Sequence, residues 1–194
     1  MVDRAGLGAL SMRSVASELG VGAMSLYRYV SGREEIERLI VDHIFQEVDP
    51  VGASRGSWRN QITALSASMR SAISIHPDVI PLLLVHFQRS PSAWRWLNSI
   101  LKALTQAGFD PKQRVVAVRT LQAYVIGAAQ GEFLVPLDGA ATSDLTALPL
   151  EEFALVVETA QAAFSISADQ EFSRGLAVVL DGLAAILEHE PPGR

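Results

Sequence analysis

The chain of 194 residues contains no cysteine. Disulfides and thiolate metal sites are thereby excluded, and a reducing cytoplasm is the compartment that suits such a composition. Aromatic residues are sparse at 7% and prolines number only nine, against a hydrophobic fraction of 49% dominated by Ala, Leu and Val. A packed helical core follows from this balance, not disorder. Long apolar runs are missing as well: Asp181 interrupts the stretch from Leu176 to Leu187, well short of a membrane span. The start, MVDRAGLG, lacks the basic then apolar pattern of an export signal, so no membrane partner is expected.

Positive charge is in short supply. The net charge is −5, and from Met1 to Phe45 five arginines (Arg4, Arg13, Arg28, Arg33, Arg38) face six acids (Asp3, Glu18, Glu34, Glu35, Glu37, Asp42), a net of minus one. Bulk attraction to a polyanion is weak. Any nucleic-acid binding must depend on where single arginines point, on helix N-termini facing phosphates, and on two copies acting together. Catalytic signatures are absent too. His43, His76, His86 and His189 are scattered, with no pair at metal-ligand spacing and no acidic partner nearby in sequence. There is no glycine-rich phosphate loop and no nucleophile elbow, and Glu151 and Glu152 read as a solvated helix start. No enzyme, cofactor or metal is expected.

What the chain does contain is the stretch Ser11 to Arg33, SMRSVASELGVGAMSLYRYVSGR. Val15, Ala16 and Leu19 fall on one face of a first short helix, Gly20 breaks it, and Val21, Leu26 and Val30 supply the inward face of a second. Leu10 before Ser11 can staple to Val15, and Val21 before Gly22 to Leu26. This is a helix-turn-helix layout. The residues left over on the second helix are small, polar, aromatic and cationic, and no single face buries them all. A helix in a DNA major groove reads base edges from its first turns and holds phosphates further along. In that role Ala23, Met24 and Ser25 meet bases, a thymine methyl being an apolar target, Tyr27 and Tyr29 grip the backbone, and Arg28 does either. A plain helical hairpin would share the Val, Ala and Leu pattern but has no use for two exposed tyrosines beside an arginine.

The run ALSMRSVASELGVGAMSLYRYVSGREEIERLIVD closely resembles the DNA-binding end of tetracycline-repressor (TetR) family regulators, strongly here and more weakly to the end of the chain. The resemblance implies an all-α protein. Residues 1–48 would form a helix-turn-helix DNA-binding domain, and residues 49–194 a helical ligand-binding and dimerisation domain. It implies that Arg13 touches the operator from the first helix, that Ser25, Tyr27, Arg28 and Tyr29 lie on the recognition helix, and that Arg33 opens the next helix beside a phosphate. Such a domain carries a full helix ahead of this motif, whereas here MVDRAG reads as only the last turn of one; an upstream start or a truncation is the expectation.

The following helix runs from the VSGREE segment to about Val48, with Ile36, Leu39, Ile40 and Ile44 as its apolar stripe. Its start has two readings: a box of Ser31 with Glu34, or Gly32 at the cap with Glu35 in the reciprocal role. In the family this helix is the lever between DNA and ligand chamber. Asp49 to Ser57 is a linker. Helices then follow over Trp58 to Ile75, over Asp78 to Gln88 with a largely buried IPLLLV, from Pro91 with Trp94, Leu97, Ile100, Leu101 and Leu104 inward, from Pro111 to about Val135, from Leu150 to about Phe164, and from Asp169 to His189. Residues 136–149 read as a mobile loop, and the tail EPPGR as frayed.

Ala123, Gly127 and Gly131 form a small-residue ridge, and Gly175, Val179, Gly182, Leu183 and Ile186 mark the last helix; by the resemblance these two helices pair with their copies in a second subunit. The resemblance likewise puts Met69, His86, Phe87, Trp94, Trp96 and Gln122, with Ile126 beside it, around a chamber for a small apolar or aromatic effector. Taken together it implies a homodimeric, cytoplasmic regulator, a repressor more than an activator, that binds double-stranded operator DNA and is released by its ligand. The rivals are a small-molecule-binding protein that has lost DNA recognition and a helical enzyme.

Overall fold

The computed structural model of the chain describes residues 2–48 and 56–189. The linker expected at 49–57, apart from Gly56 and Ser57, and the tail from 190 onward lie outside those residues. Every regular element among the described residues is helical. By packing, the chain divides into two units, Met1–Ala107 and Gly108–Arg194. The division falls at 107/108 and not at 48/49 because the lever helix shares its core with the helices that follow it.

In the first unit, α1 (Val2–Ala5) and a 3-10 turn (Leu7–Ala9) lead to α2, Met12–Glu18. Ser11 opens α2 with a capping box: its hydroxyl accepts the amide of Ser14, and the Ser14 hydroxyl accepts that of Ser11. Gly20, at φ +67°, closes it. The amides of Gly20 and Val21 reach back to the carbonyls of Ser17 and Ala16 at 3.2 and 2.9 Å, a Schellman arrangement that needs a left-handed residue here.

The second helix of the motif is shorter than its apolar pattern suggests. α3 covers only Ala23–Leu26, and Tyr27 to Val30 continue as a tightened turn in which the Tyr29 amide bonds the Leu26 carbonyl at 2.9 Å. Leu26 and Val30 are buried as expected, but Leu19 and Val21 are 61% and 45% exposed. Both flank the Gly20 turn, where the chain swings away from the core.

Ser31 donates its amide and its hydroxyl to Glu35 Oε2, each at 2.6 Å, ahead of α4, Arg33–Glu47. Of the two readings the cap at Gly32 holds, while Glu35 reaches back past it to Ser31 and not to the Gly32 amide. The Ser31 hydroxyl and amide hold the Glu35 carboxyl below its ordinary range. The buried face of α4 is Ile36, Val41, Ile44 and Phe45; Leu39, expected inward, is 54% exposed.

α5 (Trp58–Ile75), α6 (Ile80–His86) and α7 (Pro91–Gln106) complete the unit. Ile62, Leu65, Met69 and Ile73 bury one side of α5 as their spacing predicts. In α6 only half of the apolar run is inside: Leu82 and Leu83 are buried, whereas Leu84 and Val85 point to solvent. In α7 Ile100 and Leu104 are buried as expected, but the rest of the buried face lies one position earlier than expected. Ala93, Trp96, Ile100, Ala103 and Leu104 share the buried face, and Trp94 stands 52% exposed.

The second unit contains α8 (Pro111–Leu134), α9 (Ala140–Thr146), α10 (Leu150–Ala163) and α11 (Ala168–His189). Asp110 caps α8 in a box with Gln113. The segment read as a loop contains α9, which packs against α10 and buries Thr142. Its Ala-Ala-Thr-Ser composition carries almost no apolar period, so the pattern on which helix reading depends is absent. α10 bends at Phe153 (φ −122°, ψ 29°), leaving Val157 and Ala160 inside and Val156 outside.

α8 and α11 pack on each other through Tyr124, whose hydroxyl donates to the Phe172 carbonyl at 2.7 Å and whose ring lies 5.6 Å from that of Phe172. Gly175 gives that ring its room: a methyl added there would stand 2.9 Å from Tyr124 Cε2 and closer still to the hydroxyl. Gly175→Ala is therefore expected to cost about 1–3 kcal/mol, read as a lowered urea midpoint with an unchanged m value.

Candidate nucleic-acid interface

The local structure just described puts three neighbouring side chains in water. Met24, Tyr27 and Tyr29 are 81%, 50% and 78% exposed, and Arg28 between the tyrosines is exposed with no carboxylate or other hydrogen-bond partner among the described residues. Ala23 and Ser25 are half-buried at the start of the same helix. Arg13, on α2, is also exposed and without a partner among the described residues. Two unpaired guanidinium groups and two phenols on one small motif are a set of hydrogen-bond donors suited to phosphate oxygens and base edges. Tyr27 and Tyr29 lie on the turn beyond α3 and not on the helix itself. Arg33 is differently placed. Its Nε donates to Glu37 Oε1 at 2.7 Å and its Nη2 to the Leu7 carbonyl at 3.3 Å, so it is committed to fastening α4 to the segment before α2.

Sequence reading missed the residues that fasten α4 on its other side. Three carboxylates of α4 meet the segment from the end of α6 to the start of α7. Glu34 pairs with Arg89. Glu37 Oε2 lies 3.1 Å from Nε2 of His86. Asp42 Oδ1 accepts the Ser90 hydroxyl at 2.7 Å and the Ser92 amide at 2.8 Å, and so sits on the free N–H groups opening α7. Glu37 and Asp42 carried a weak signal: each is an acid directly beside a buried apolar residue, Ile36 and Val41. Their partners are 48 to 50 residues away, beyond the reach of local pattern. His76 also meets Asp3, and His43 meets Glu47 one helical turn on, which revises the reading that no histidine had an acidic partner nearby in sequence.

Burial works to raise the Asp42 carboxyl, but hydrogen bonds from Ser90, Ser92 and Gln46 outweigh it and leave it lowered; Glu37 is lowered in the same way by Arg33 and His86. A depressed folded-state value means that the stabilisation is fully present above the unfolded carboxylate range, about pH 4, and is lost as pH falls through the depressed values. Thermal unfolding followed from pH 7 to pH 3 should show Tm falling below about pH 4, with a smaller fall in Asp42→Asn.

Of the residues expected around an effector, Met69 and Trp96 are buried in the first unit, and the Trp96 indole donates to the Leu65 carbonyl at 3.2 Å. Phe87 is half-buried and meets Phe45 at 5.3 Å and Trp96 at 6.2 Å, both edge to face. Trp94 is exposed, its indole bonded to the Gln88 carbonyl. His86 is 3% exposed. Gln122 and Ile126 are half-buried on α8, in the second unit.

Of the residues expected at a subunit interface, Ala123, Gly127, Gly131 and Gly182 are exposed, and a Cβ added at any of these three glycines would meet no neighbouring atom. Val179 and Ile186 are half-buried, Leu183 is buried within the unit, and Gly175 serves Tyr124. Among the described residues no group of three or more His, Asp or Glu side chains could hold a metal ion, and no helix is long and apolar enough to cross a membrane.

Residues 50–187 match the family model described as the tetracyclin repressor-like C-terminal domain. Over 96% of its length the chain is 29% identical to the HTH-type transcriptional repressor DrrR1 of Streptomyces coeruleorubidus, and it covers 74% of that protein. Over 68% of its length it is 33% identical to an HTH-type transcriptional regulator of Saccharopolyspora erythraea, of which it covers 56%. Among solved structures it is similar to the Streptomyces coelicolor TetR family protein ActR in complex with actinorhodin, with a TM-score of 0.79, 27% identity, and coverage of 95% of this chain and 91% of that one. An exposed Tyr-Arg-Tyr face on a helix-turn-helix, followed by a helical region that the family model matches over most of the chain, has one assignment: the chain belongs to the tetracycline-repressor family of transcriptional regulators.

Proposed function

We propose that the chain is a repressor that binds double-stranded operator DNA as a homodimer and releases it when a small apolar or aromatic effector binds. Residues 1–48 act as the DNA-binding part and residues 49–194 as the effector and dimerisation part. Arg13, Ala23, Met24, Ser25, Tyr27, Arg28 and Tyr29 meet the DNA: the first turn of α3 faces base edges, and the tyrosines and arginines face phosphates. The observation that carries this reading is the exposure of Tyr27, Arg28 and Tyr29 with no partner for the arginine among the described residues. The near-neutral charge of this region supports a dimer, because two motifs gripping successive major grooves, about 34 Å apart, supply what one cannot. The open glycines of α8 and α11 support these helices as the surface where the copies meet.

Release follows from the acids of α4. Glu34, Glu37 and Asp42 tie α4 to residues 86–92, and Arg33 ties the start of α4 to Leu7. An effector that favours a different position of residues 86–92 moves α4 and with it the motif, and it shifts the population only by its differential affinity for the two shapes. A gel-shift titration with the DNA upstream of the chain's own gene, alongside sedimentation of the complex, tests the reading. Two protomers per duplex and a specific shift are expected. A chain that stays monomeric, or that binds a scrambled duplex equally well, contradicts it and favours a small-molecule-binding protein without DNA recognition.

A further inference from the structure

Met24 stands apart from the other long apolar side chains. At 81% exposure it is the most exposed large hydrophobic residue among the described residues, and it sits on α3 between the half-buried Ala23 and Ser25. The two other methionines among the described residues are better covered: Met12 is half-buried at the start of α2, and Met69 lies in the core of the first unit. The chain has no cysteine. The thiolates on which oxidants usually act are therefore missing, and the Met24 thioether is the most accessible sulfur among the described residues.

Resting on the function proposed above, we infer that Met24 is an oxidation site whose conversion to the sulfoxide by hypochlorous acid switches operator binding off. The step is a two-electron transfer. The sulfur lone pair takes up the oxygen of hypochlorous acid, an S–O bond forms as the O–Cl bond breaks, chloride leaves with the bonding pair, and the proton passes to solvent. Sulfur is oxidised and chlorine reduced. Methionine sulfoxide reductases reverse the change at the expense of a dithiol, so the modification is a switch and not damage.

The two forms differ in what they present to a base edge. The thioether is a flexible apolar group that suits a thymine methyl. The sulfoxide puts a strongly polar oxygen in the same place, an acceptor with no hydrogen to give, which loses its water at an apolar contact and gains no bond in return. In the free protein that oxygen stays in water, and the core residue of α3 is Leu26, so the fold is untouched while the complex is weakened. A dimer carries two such sites, and the losses combine.

The test treats the full chain with a small excess of hypochlorous acid, stops the reaction with free methionine, and maps the products by peptide mass spectrometry. One added oxygen should appear on Met24 ahead of Met12 and Met69, and bound promoter DNA should slow its arrival where a scrambled duplex does not. Fluorescence anisotropy with labelled promoter DNA should then show affinity lowered at least about tenfold, as expected when two polar groups are left unpaired at an interface. Methionine sulfoxide reductases A and B with dithiothreitol should restore it. Met24→Leu keeps an apolar side chain without sulfur; whatever affinity it starts from, oxidant should leave that affinity where it was.

Undiminished affinity once Met24 is fully converted, an equal loss in Met24→Leu, or oxygen arriving on Met12 or Met69 first each overturns the inference. The untreated protein separates the two failures. Specific promoter binding that survives conversion of Met24 keeps the proposed function and loses the switch. Untreated protein that leaves its promoter unbound overturns both.

Discussion

Tyr27→Ala together with Tyr29→Ala is expected to weaken operator binding at least about thirtyfold while leaving the fold intact. Each phenol placed on a phosphate contributes one net hydrogen bond of about 0.5–1.5 kcal/mol, and a dimer presents four of them, so the combined loss is about 2–6 kcal/mol. The rings are 50% and 78% exposed, and their removal takes little from the core. Surface truncations of this kind usually change stability by less than about 0.5 kcal/mol, so Tm is expected to hold. Fluorescence anisotropy of labelled promoter DNA reads the first quantity and differential scanning fluorimetry the second. Undiminished affinity would remove the tyrosines from the interface. A collapse of Tm would assign them to folding instead.

Asp42→Ala is expected to destabilise the first unit well beyond what an ordinary polar surface change does. Asp42 accepts from the Ser90 hydroxyl and the Ser92 amide, and Ser90 in turn accepts the Ala93 amide, so one carboxylate organises the whole opening of α7. Its removal strands donors on the buried residues Ser90 and Ser92. A loss of about 2–3 kcal/mol follows, or roughly 5–10 °C in Tm for a chain of this size. Asp42→Asn keeps an acceptor oxygen and should lose less than half as much. The same change cuts a tie between α4 and the 86–92 segment, so the surviving folded protein should release DNA less completely at saturating effector. Thermal melts and promoter titrations with and without effector check the two halves separately.

The helix-turn-helix was legible because its signals are short-range. A serine cap, a glycine at positive φ and apolar residues three and four apart lie within twenty residues of one another, and Ser11, Gly20, Leu26 and Val30 do what their spacing says. Helix phase was less legible. Trp94 and Trp96 are two positions apart, both large and apolar, and only the packing of Ala93 and Ile100 decides that Trp96 goes inside. Leu19, Val21 and Leu39 are apolar residues on the right period but near turns or beyond the reach of a facing helix, where periodicity no longer implies burial. Least legible were Glu34, Glu37 and Asp42. In the sequence they are three more acids on a charged helix; only the approach of residues 86–92 makes them the fastening of the lever.

Operator recognition depends most on Arg28 meeting DNA, and the salt dependence of promoter binding addresses that contact without relying on affinity alone. A guanidinium on a phosphate displaces a counterion, so a dimer with two such contacts has a steeper fall of log K with log salt concentration. Measured from about 50 to 200 mM salt, Arg28→Ala should bind more weakly and lower the slope by about two, roughly one for each protomer. An unchanged slope with unchanged affinity would contradict the assignment of this face to DNA.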